Sequence, residues 1–537
     1  MQPALMQRGP VASQLHDMNS FTRIVGLLAI VVLMAVDGIN STLLVVNRGQ
    51  VTGHYAAAPD EASWLGIGYL AAKLLAFVWA PWIIGRLGSQ RALLAGGFGL
   101  AICTGALAFA PNLEMAVLIR IAQGVCGAMA LVAGQTLVFQ SHAPARQAPL
   151  QAALALAVVV VPVMLAPALH GWITDRHDWR WVFVGSSLAA LVATALLRLA
   201  RRAAPLPHSL RSPGLAPSLL LASGIVGSVY VLHQGARFDW FDDGHIRLVT
   251  VASLGALAAA LWSHGSSIRR FVQTSAANPD FLFGLCASVF AGFALFGSGA
   301  AIPLFGSVVL GLGPEHVGEL ALSSSIAAAL GLVLVAGFLQ SGRMPVAAPI
   351  PIGIALFMAG MWLFSLSSAQ TGAPQVRLAT WLRGLGMGFL FMSLTMITLS
   401  RVAAGLLAQG VALFNLGRQV GGLAGTAFVT TMLEWRAPGH ATVLAQYLQP
   451  GSPALESAQA SMAGLLVEHG QAATDAPAAA AALLSRQLGQ QAGARAFDEI
   501  FLALALFFFA AIPALVGVKL VLSRVHARRV EQVQKPA

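Results

Sequence analysis

Long apolar stretches, broken by short polar segments, dominate the chain. A transmembrane helix needs about 20 mostly apolar residues, and fourteen stretches meet or approach that length. Six lie in the first 200 residues, at 24–46, 64–84, 92–109, 113–137, 150–170 and 182–199. Two shorter ones follow at 216–232 and 248–264. The last six fall at 281–310, 320–339, 346–366, 378–399, 406–432 and 500–521. The pattern predicts an all-α polytopic membrane protein with 14 transmembrane helices. Residues 1–22 are polar, and the first apolar run outlasts a signal-peptide core, so it reads as a retained first span. One connection is long. Residues 434–499 are rich in Ala and Gln, and 478–486 has helical character with Pro477 suited to its start. It reads as a partly helical extramembrane flap.

Composition agrees with the pattern. The chain has 537 residues, 57% hydrophobic and 9% charged, with mean hydropathy +0.76. A soluble domain carries roughly a quarter charged residues, so a water-facing surface of this composition is excluded. The net charge of +11 would point to nucleic acid in a soluble domain. Here the basic residues sit in short loops, and membrane topology accounts for them without nucleic acid. With a cytoplasmic N-terminus, the inner loops hold Arg86, Arg91, Arg146, Arg198, Arg201, Arg202, Arg211, Arg269, Arg270, Arg343 and Arg401. The C-terminal tail adds Arg524, Arg528, Arg529 and Lys535. The outer loops mix signs or lean acidic: Asp60 and Glu61; Asp175 and Asp178 with Arg176 and Arg180; Asp239, Asp242 and Asp243 with Arg237. An even number of spans then places both termini in the cytoplasm. The three cysteines, Cys103, Cys126 and Cys286, lie inside apolar segments without CxxC spacing. They give neither a disulfide framework nor a metal site.

Ionisable groups inside a span need a partner or a water-filled cavity. The set is short: Asp37, Lys73, Arg120, His170, Arg383, Arg418 and Lys519. Lys519 lies near the inner end of the last span, where it can snorkel. Asp37 lies about 20 Å from the inner face at the helical rise, and Lys73 and Arg120 fall at a similar depth. One acid and two bases at one level predict a polar cavity in the first bundle. Burial favours a protonated carboxyl and a nearby cation favours the charged form, so Asp37 is poised to load and release a proton. The alternative is a static ion pair holding spans 1 and 4 together. Lys73 either pairs with Asp37 or meets an anionic substrate group. His170 reads as a satisfied polar group near the outer end of span 5. Arg383 and Arg418 lack an evident acid partner; they bond carbonyls or face a cavity that admits anions. The glycine runs 384–388 and 421–425 allow close helix approach.

These residues sit within motifs that resemble the major facilitator superfamily, in its fourteen-span branch of drug–proton antiporters, nearly end to end. Val36-Asp37-Gly38-Ile39-Asn40 resembles the acidic motif of span 1. Arg120-Ile121-Ala122-Gln123-Gly124, followed by Gln135, resembles the RxxQG motif of span 4, which the family links to proton coupling. Ala166-Pro167-Ala168-Leu169-His170-Gly171 is similar to the GPxxGG antiporter motif, with Ala166 and His170 where glycines are expected. Asp239-Trp240-Phe241 resembles the signature between the two extra middle spans. Residues 391–400 and Asn415-Leu416-Gly417-Arg418-Gln419 resemble late spans of the second bundle. The cytoplasmic motif GxxxDxxGRR is degraded: Gly85, Arg86, Gly88 and Arg91 remain, but its acid is absent.

The resemblance implies a major facilitator fold of two six-helix bundles plus two extra central spans. The tail 1–22 would precede a first bundle at 23–200, a linker at 201–215 and the extra spans at 216–264. A linker at 265–280, a second bundle at 281–523 (with its outer loop 434–499) and a basic tail at 524–537 complete the chain. Substrate would bind between the bundles, with alternating access by rocking. The implied activity is proton-coupled export of amphipathic small molecules from the inner membrane, driven by the proton gradient without a cofactor. Asp37 would exchange protons and Arg120 would tune it, while Gln123, Gln135, Asn415 and Arg418 would line the route. A periplasmic adaptor and an outer-membrane channel are implied partners where the cell has two membranes. A dedicated exporter of one metabolite, such as a siderophore or fatty acid, is the alternative, followed by a proton-coupled importer. No nucleophile–base pair or phosphate loop points to an enzyme.

Overall fold

The computed structural model describes residues 20–46, 48–142, 144–160, 178, 180–200, 214–265, 279–400, 402–446 and 452–534. The first half contributes α1 (Ser20–Val46), α2 (Arg48–Tyr55), α3 (Pro59–Leu87), α4 (Ser89–Ala108), α5 (Leu113–Ser141), α6 (Pro144–Ala155) and α7 (Arg180–Leu199). A π-helical turn, Leu156–Val160, continues α6. The middle pair is α8 (Leu215–Gln234) and α9 (Gly244–Ser263). The second half holds α10 (Pro279–Val308), α11 (Pro314–Gln340), α12 (Pro349–Ser365), α13 (Ala373–Leu399), α14 (Leu407–Ala445), α15 (Pro453–Glu468) and α16 (Ala476–Gln534). No strand occurs among the described residues.

Each predicted apolar stretch falls on a helix, the fifth over its described part. Eleven of the helices are long and apolar enough to cross a membrane, and Pro349–Ser365 is a shorter apolar one. Local chemistry fixes several starts. The Asn112 side chain accepts from the Met115 amide at 2.9 Å, and Asp243 accepts from the amides of His245 and Ile246 at 2.7 and 3.0 Å. These caps satisfy amides that a first helical turn leaves open. Proline begins α3 and α11, where a missing amide costs nothing. Gly88 closes α3 at φ +83, a conformation that favours glycine. The flap is more helical than its sequence announces. The outer part of α14 runs to Ala445, α15 follows, and α16 is continuous from Ala476 through the last apolar stretch.

The middle pair is peripheral. Only 22% of the apolar window of α8 and 17% of that of α9 are buried, against 72% in α13. The two helices pack on one another, and α8 also packs on α3. Gln234 Nε2 donates to Ser63 Oγ at 2.7 Å, and the Trp64 and Tyr230 rings stack at 5.6 Å. Trp240 Nε1 reaches the second half, donating to Thr431 Oγ1 at 3.0 Å. Asp239 and Trp240 hold φ values of 50° and 53°, a left-handed pair that costs free energy in non-glycine residues.

Packing between the halves concentrates at the end bearing Arg86, Arg91 and Arg343. There Ala148, Ala152 and Ala155 of α6 meet Val335 and Ala336 of α11 and Met392 and Met396 of α13. Phe77, Ala80 and Ile84 of α3 share a buried cluster with Leu399, Leu407 and Val411. The second half has its own aromatic core, with Phe305, Phe357, Phe364, Phe497 and Phe501 fully buried.

Candidate functional site

The first half holds a closed polar network. Asp37 of α1 and Lys73 of α3 are 2% and 3% exposed, and Lys73 Nζ lies 2.7 Å from Asp37 Oδ2. Tyr69, one helical turn before Lys73, donates its hydroxyl to Asp37 Oδ1 at 3.0 Å and accepts from Lys73 Nζ at 2.9 Å. Both carboxylate oxygens are therefore occupied. Gly127 of α5 makes room for them, because a Cβ there would collide with Asp37 Oδ1.

Arg120 belongs to the same network without bonding the acid. Its guanidinium lies over the Tyr69 ring at 4.0 Å from the centroid. It donates to Gln123 Oε1 at 2.6 Å, to the Asn40 carbonyl at 3.0 Å and to the Leu65 carbonyl at 3.3 Å. Gln123 and Asn40 both donate to Thr104 Oγ1, at 2.9 and 3.1 Å, and Thr104 donates to the Leu100 carbonyl at 2.6 Å. The ion pair thus joins spans 1 and 2, where the sequence left a pair between spans 1 and 4 open. Arg120 ties α5 to α1 and α3 through backbone carbonyls.

The polar residues of the later motifs divide into two groups. Asn415 Nδ2 donates to Gln135 Oε1 at 3.0 Å, a bond from α14 to α5 across the two halves. Gln135 Nε2 extends it to Gln151 Oε1 of α6 at 3.3 Å. Arg383 is held entirely within the second half. It donates to Ser298 Oγ at 3.0 Å, to Ser324 Oγ at 2.8 Å and to the Leu295 carbonyl at 3.1 Å. Arg418 is different. It is 5% exposed, and its Nε has no hydrogen-bond partner among the described residues. Its guanidinium lies over the Phe391 ring at 5.1 Å, within electrostatic range of Asp37. Phe391 also lines a small apolar cavity of about 20 Å³, room for about one water.

The degraded loop motif occupies the α3–α4 turn. Gly85 ends α3 with Arg86, which is exposed and lies over the Trp82 ring at 4.4 Å; Gly88 makes the turn and Arg91 is exposed on α4. Pro167, His170 and Gly171 lie outside the described residues. No group of three or more His, Cys, Asp or Glu residues that could hold a metal occurs among the described residues.

Sequence reasoning missed Tyr69, Asn40, Thr104 and Gly127 in the first half, and Ser298 and Ser324 in the second. Tyr69 was within reach, since it stands four residues before Lys73 on one helical face. Thr104, Ser298 and Ser324 carry no signal of their own, because only the packing of other helices brings them to the charges.

Comparison with known proteins places this geometry in a family. The chain is 24% identical over 479 residues to "Fatty acid resistance protein FarB" of Neisseria gonorrhoeae, covering 88% of this chain and 92% of that protein. It is 24% identical to "Multidrug export protein EmrB" of Escherichia coli K12, covering 81% and 85%. "Multidrug resistance protein B homolog" of Mycobacterium tuberculosis H37Rv is 25% identical, covering 76% and 75%. In fold, the chain is similar to the crystal structure of the human organic anion transporter MFSD10 (TETRAN), at TM-score 0.53 and 13% identity over 90% of this chain and 98% of that one. It is also similar to a bacterial homologue of the human lysosomal transporter Spinster, at TM-score 0.51 and 16% identity over 93% and 99%. The family model described as Major Facilitator Superfamily matches residues 26–426, most of the chain, so the protein belongs to the major facilitator superfamily and is a multi-pass membrane transporter.

Proposed function

We propose that the protein is a proton-coupled antiporter that exports amphipathic small molecules across the inner membrane by alternating access. The observation that carries this reading is Asp37. It is the one buried acid among the described residues, it is bound to a lysine and a tyrosine, and it faces Arg418 of the other half within electrostatic range. A buried carboxylate that two halves of a moving bundle both influence can take a proton in one arrangement and release it in the other. When Asp37 takes a proton its bond to Lys73 weakens, and the α1–α3 contact loosens with it. Arg120 stays fixed on carbonyls and Gln123, so it holds the frame in which that change occurs. The relatives named for multidrug export and fatty acid resistance support the direction and the broad substrate class.

The topology proposed is fourteen spans with both termini cytoplasmic, which makes the closed end of the molecule the cytoplasmic one. The Gln135–Asn415 bond then belongs to the inner gate. The α14–α15–α16 flap projects on the opposite side and offers the natural seat for a periplasmic adaptor feeding an outer-membrane channel.

Accumulation of cationic, neutral and anionic compounds in efflux-deficient cells tests the reading. Wild type is expected to lower accumulation of some of them, and Asp37→Asn at matched membrane expression is expected to lower none. Normal export by that variant would remove Asp37 from the coupling mechanism, and no export by wild type would remove efflux itself.

A further inference from the structure

All three charges of the first-half network meet at one neutral side chain. Tyr69 donates its hydroxyl to Asp37 Oδ1 at 3.0 Å and accepts from Lys73 Nζ at 2.9 Å. Its ring lies under the Arg120 guanidinium, 4.0 Å from the centroid. At 4% exposed it is as enclosed as the charges it touches. A buried phenol beside a carboxylate keeps its proton, so the hydroxyl is a donor to Asp37. The turn of α3 that carries Tyr69 and Lys73 is pinned from α5. A Cβ on Gly124 would strike the Tyr69 carbonyl, and one on Gly127 would strike Asp37 Oδ1. Hydroxyl and carboxylate therefore have little room to part.

This contact weighs on the exchange of a proton. In its charged form Asp37 accepts from both Lys73 and Tyr69. A proton on Asp37 leaves the hydroxyl a neutral acceptor at best, or none once the carboxyl O–H points back at it. A hydrogen bond to a charged group outweighs one to a neutral group by enough to move a protonation midpoint by about one pH unit. Arg120 adds to the effect without touching the acid. A cation on the ring face draws charge from the phenol and makes its hydroxyl a stronger donor. The other titratable and charged groups toward Asp37 are Cys126 of α5, with Cys103 of α4 beside it, and Arg418 of α14. Arg91, Arg146, Arg180 and Arg198 of the neighbouring α4, α6 and α7 stand near helix ends, and α2 follows the outer end of α1. Among the described residues, only Lys73 and Tyr69 donate to the Asp37 oxygens.

We propose that Tyr69 is the positioning residue of the coupling site: its hydroxyl holds Asp37 in the charged form beside Lys73 and so sets the pH at which the carboxyl loads and releases its proton. Without the hydroxyl, Asp37 keeps its proton to higher pH. With a stronger donor in its place, the proton leaves at lower pH. The inference rests on the coupling reading above and adds the residue that tunes it.

The test is infrared titration of the full-length protein in lipid nanodiscs, following the C=O band of the protonated carboxyl that Asp37→Asn removes. The pH profile of uptake into everted vesicles is measured alongside. Tyr69→Phe keeps the ring under Arg120 and loses the hydroxyl. Its midpoint is expected about one pH unit above that of wild type, in the band and in the uptake profile alike. Replacing Tyr69 by an ortho-fluorotyrosine keeps the geometry and strengthens the donor, and the midpoint is expected to fall below that of wild type. A residue that only packed would move neither midpoint, or both the same way. The fluorinated protein is read alone if Tyr69→Phe fails to fold. Unchanged midpoints, shifts of one sign, or a wild-type Asp37 that takes no proton across the titration each overturns the proposal. Normal pH-driven uptake by Asp37→Asn, with the infrared midpoints displaced as expected, would instead keep Tyr69 as the group that sets the titration of Asp37 and sink the coupling reading.

Discussion

The two halves of this molecule bury charge in opposite ways. The first half places Asp37, Lys73 and Arg120 in one network where every ionic group has a partner. Among its described residues the second half buries Arg383 and Arg418 without a buried acid, satisfies one on serines and leaves the other with an unpartnered Nε over the Phe391 ring. Removing a charge from water costs free energy that a neighbour must return. In the first half the neighbour is another side chain, so the cost is met within the protein and can be reset by one proton. In the second half the neighbours are neutral or distant: hydroxyls and a carbonyl for Arg383, the Phe391 ring and the more remote Asp37 for Arg418. The contrast is the ground on which ion coupling is proposed for the first half.

The hardest blow to this contrast is Asp37→Asn. It is expected to reduce pH-driven transport to background, measured as uptake into everted vesicles, because the coupling group is gone. Next in size is the ion pair itself. Lys73→Met leaves Asp37 buried without its cation and is expected to destabilise the fold by about 3–5 kcal/mol. The double variant Asp37→Asn/Lys73→Met is expected to recover most of that in thermal unfolding while remaining uncoupled. Recovery of coupled transport along with stability would show that the pair is structural only.

Gly127→Ala places a Cβ against the Asp37 carboxylate. A loss of about 1–3 kcal/mol is expected from such overpacking, read as a lowered midpoint in detergent. The two second-half arginines sharpen the contrast further. Arg383→Met strands Ser298, Ser324 and the Leu295 carbonyl and is expected to cost about 1–3 kcal/mol. Arg418→Gln removes a buried charge offset only by the Phe391 ring and the more remote Asp37, so its midpoint is expected to stay level or rise. The smallest effect is at the bridge between halves. Asn415→Ala removes the bond to Gln135 and is expected to shift the conformational balance by about 0.5–1.5 kcal/mol. Faster labelling of a cysteine introduced at the Gly85–Gly88 end would report it.

Much of the fold was legible because apolar length is a direct physical requirement of the bilayer. Over their described residues the fourteen stretches fall on helices, and counting depth along them brings Asp37, Lys73 and Arg120 to one level. Depth alone does not set helix rotation, so it left open whether Lys73 or Arg120 reaches Asp37. The last helix was underestimated. Its apolar part, 500–521, announces itself, whereas 476–499 is built of Ala and Gln, which favour helix without marking a span. The difference between Arg383 and Arg418 was invisible for another reason. Each stands alone in an apolar stretch, and only Ser298 and Ser324, brought in by α10 and α11, separate the satisfied arginine from the open one. Trp240 is similar: its motif is readable, but its positive φ and its bond to Thr431 arise only from the packing of the middle pair on the second half.

The central claim is that Asp37 couples protons to transport, and proteoliposomes holding Asp37→Asn/Lys73→Met test it most directly. With substrate equal on both sides and a pH gradient imposed, wild type is expected to accumulate substrate against its gradient. The double variant, folded and still able to exchange substrate downhill, is expected to show no response to the pH gradient. Gradient-driven accumulation by the double variant at the wild-type level would contradict the account.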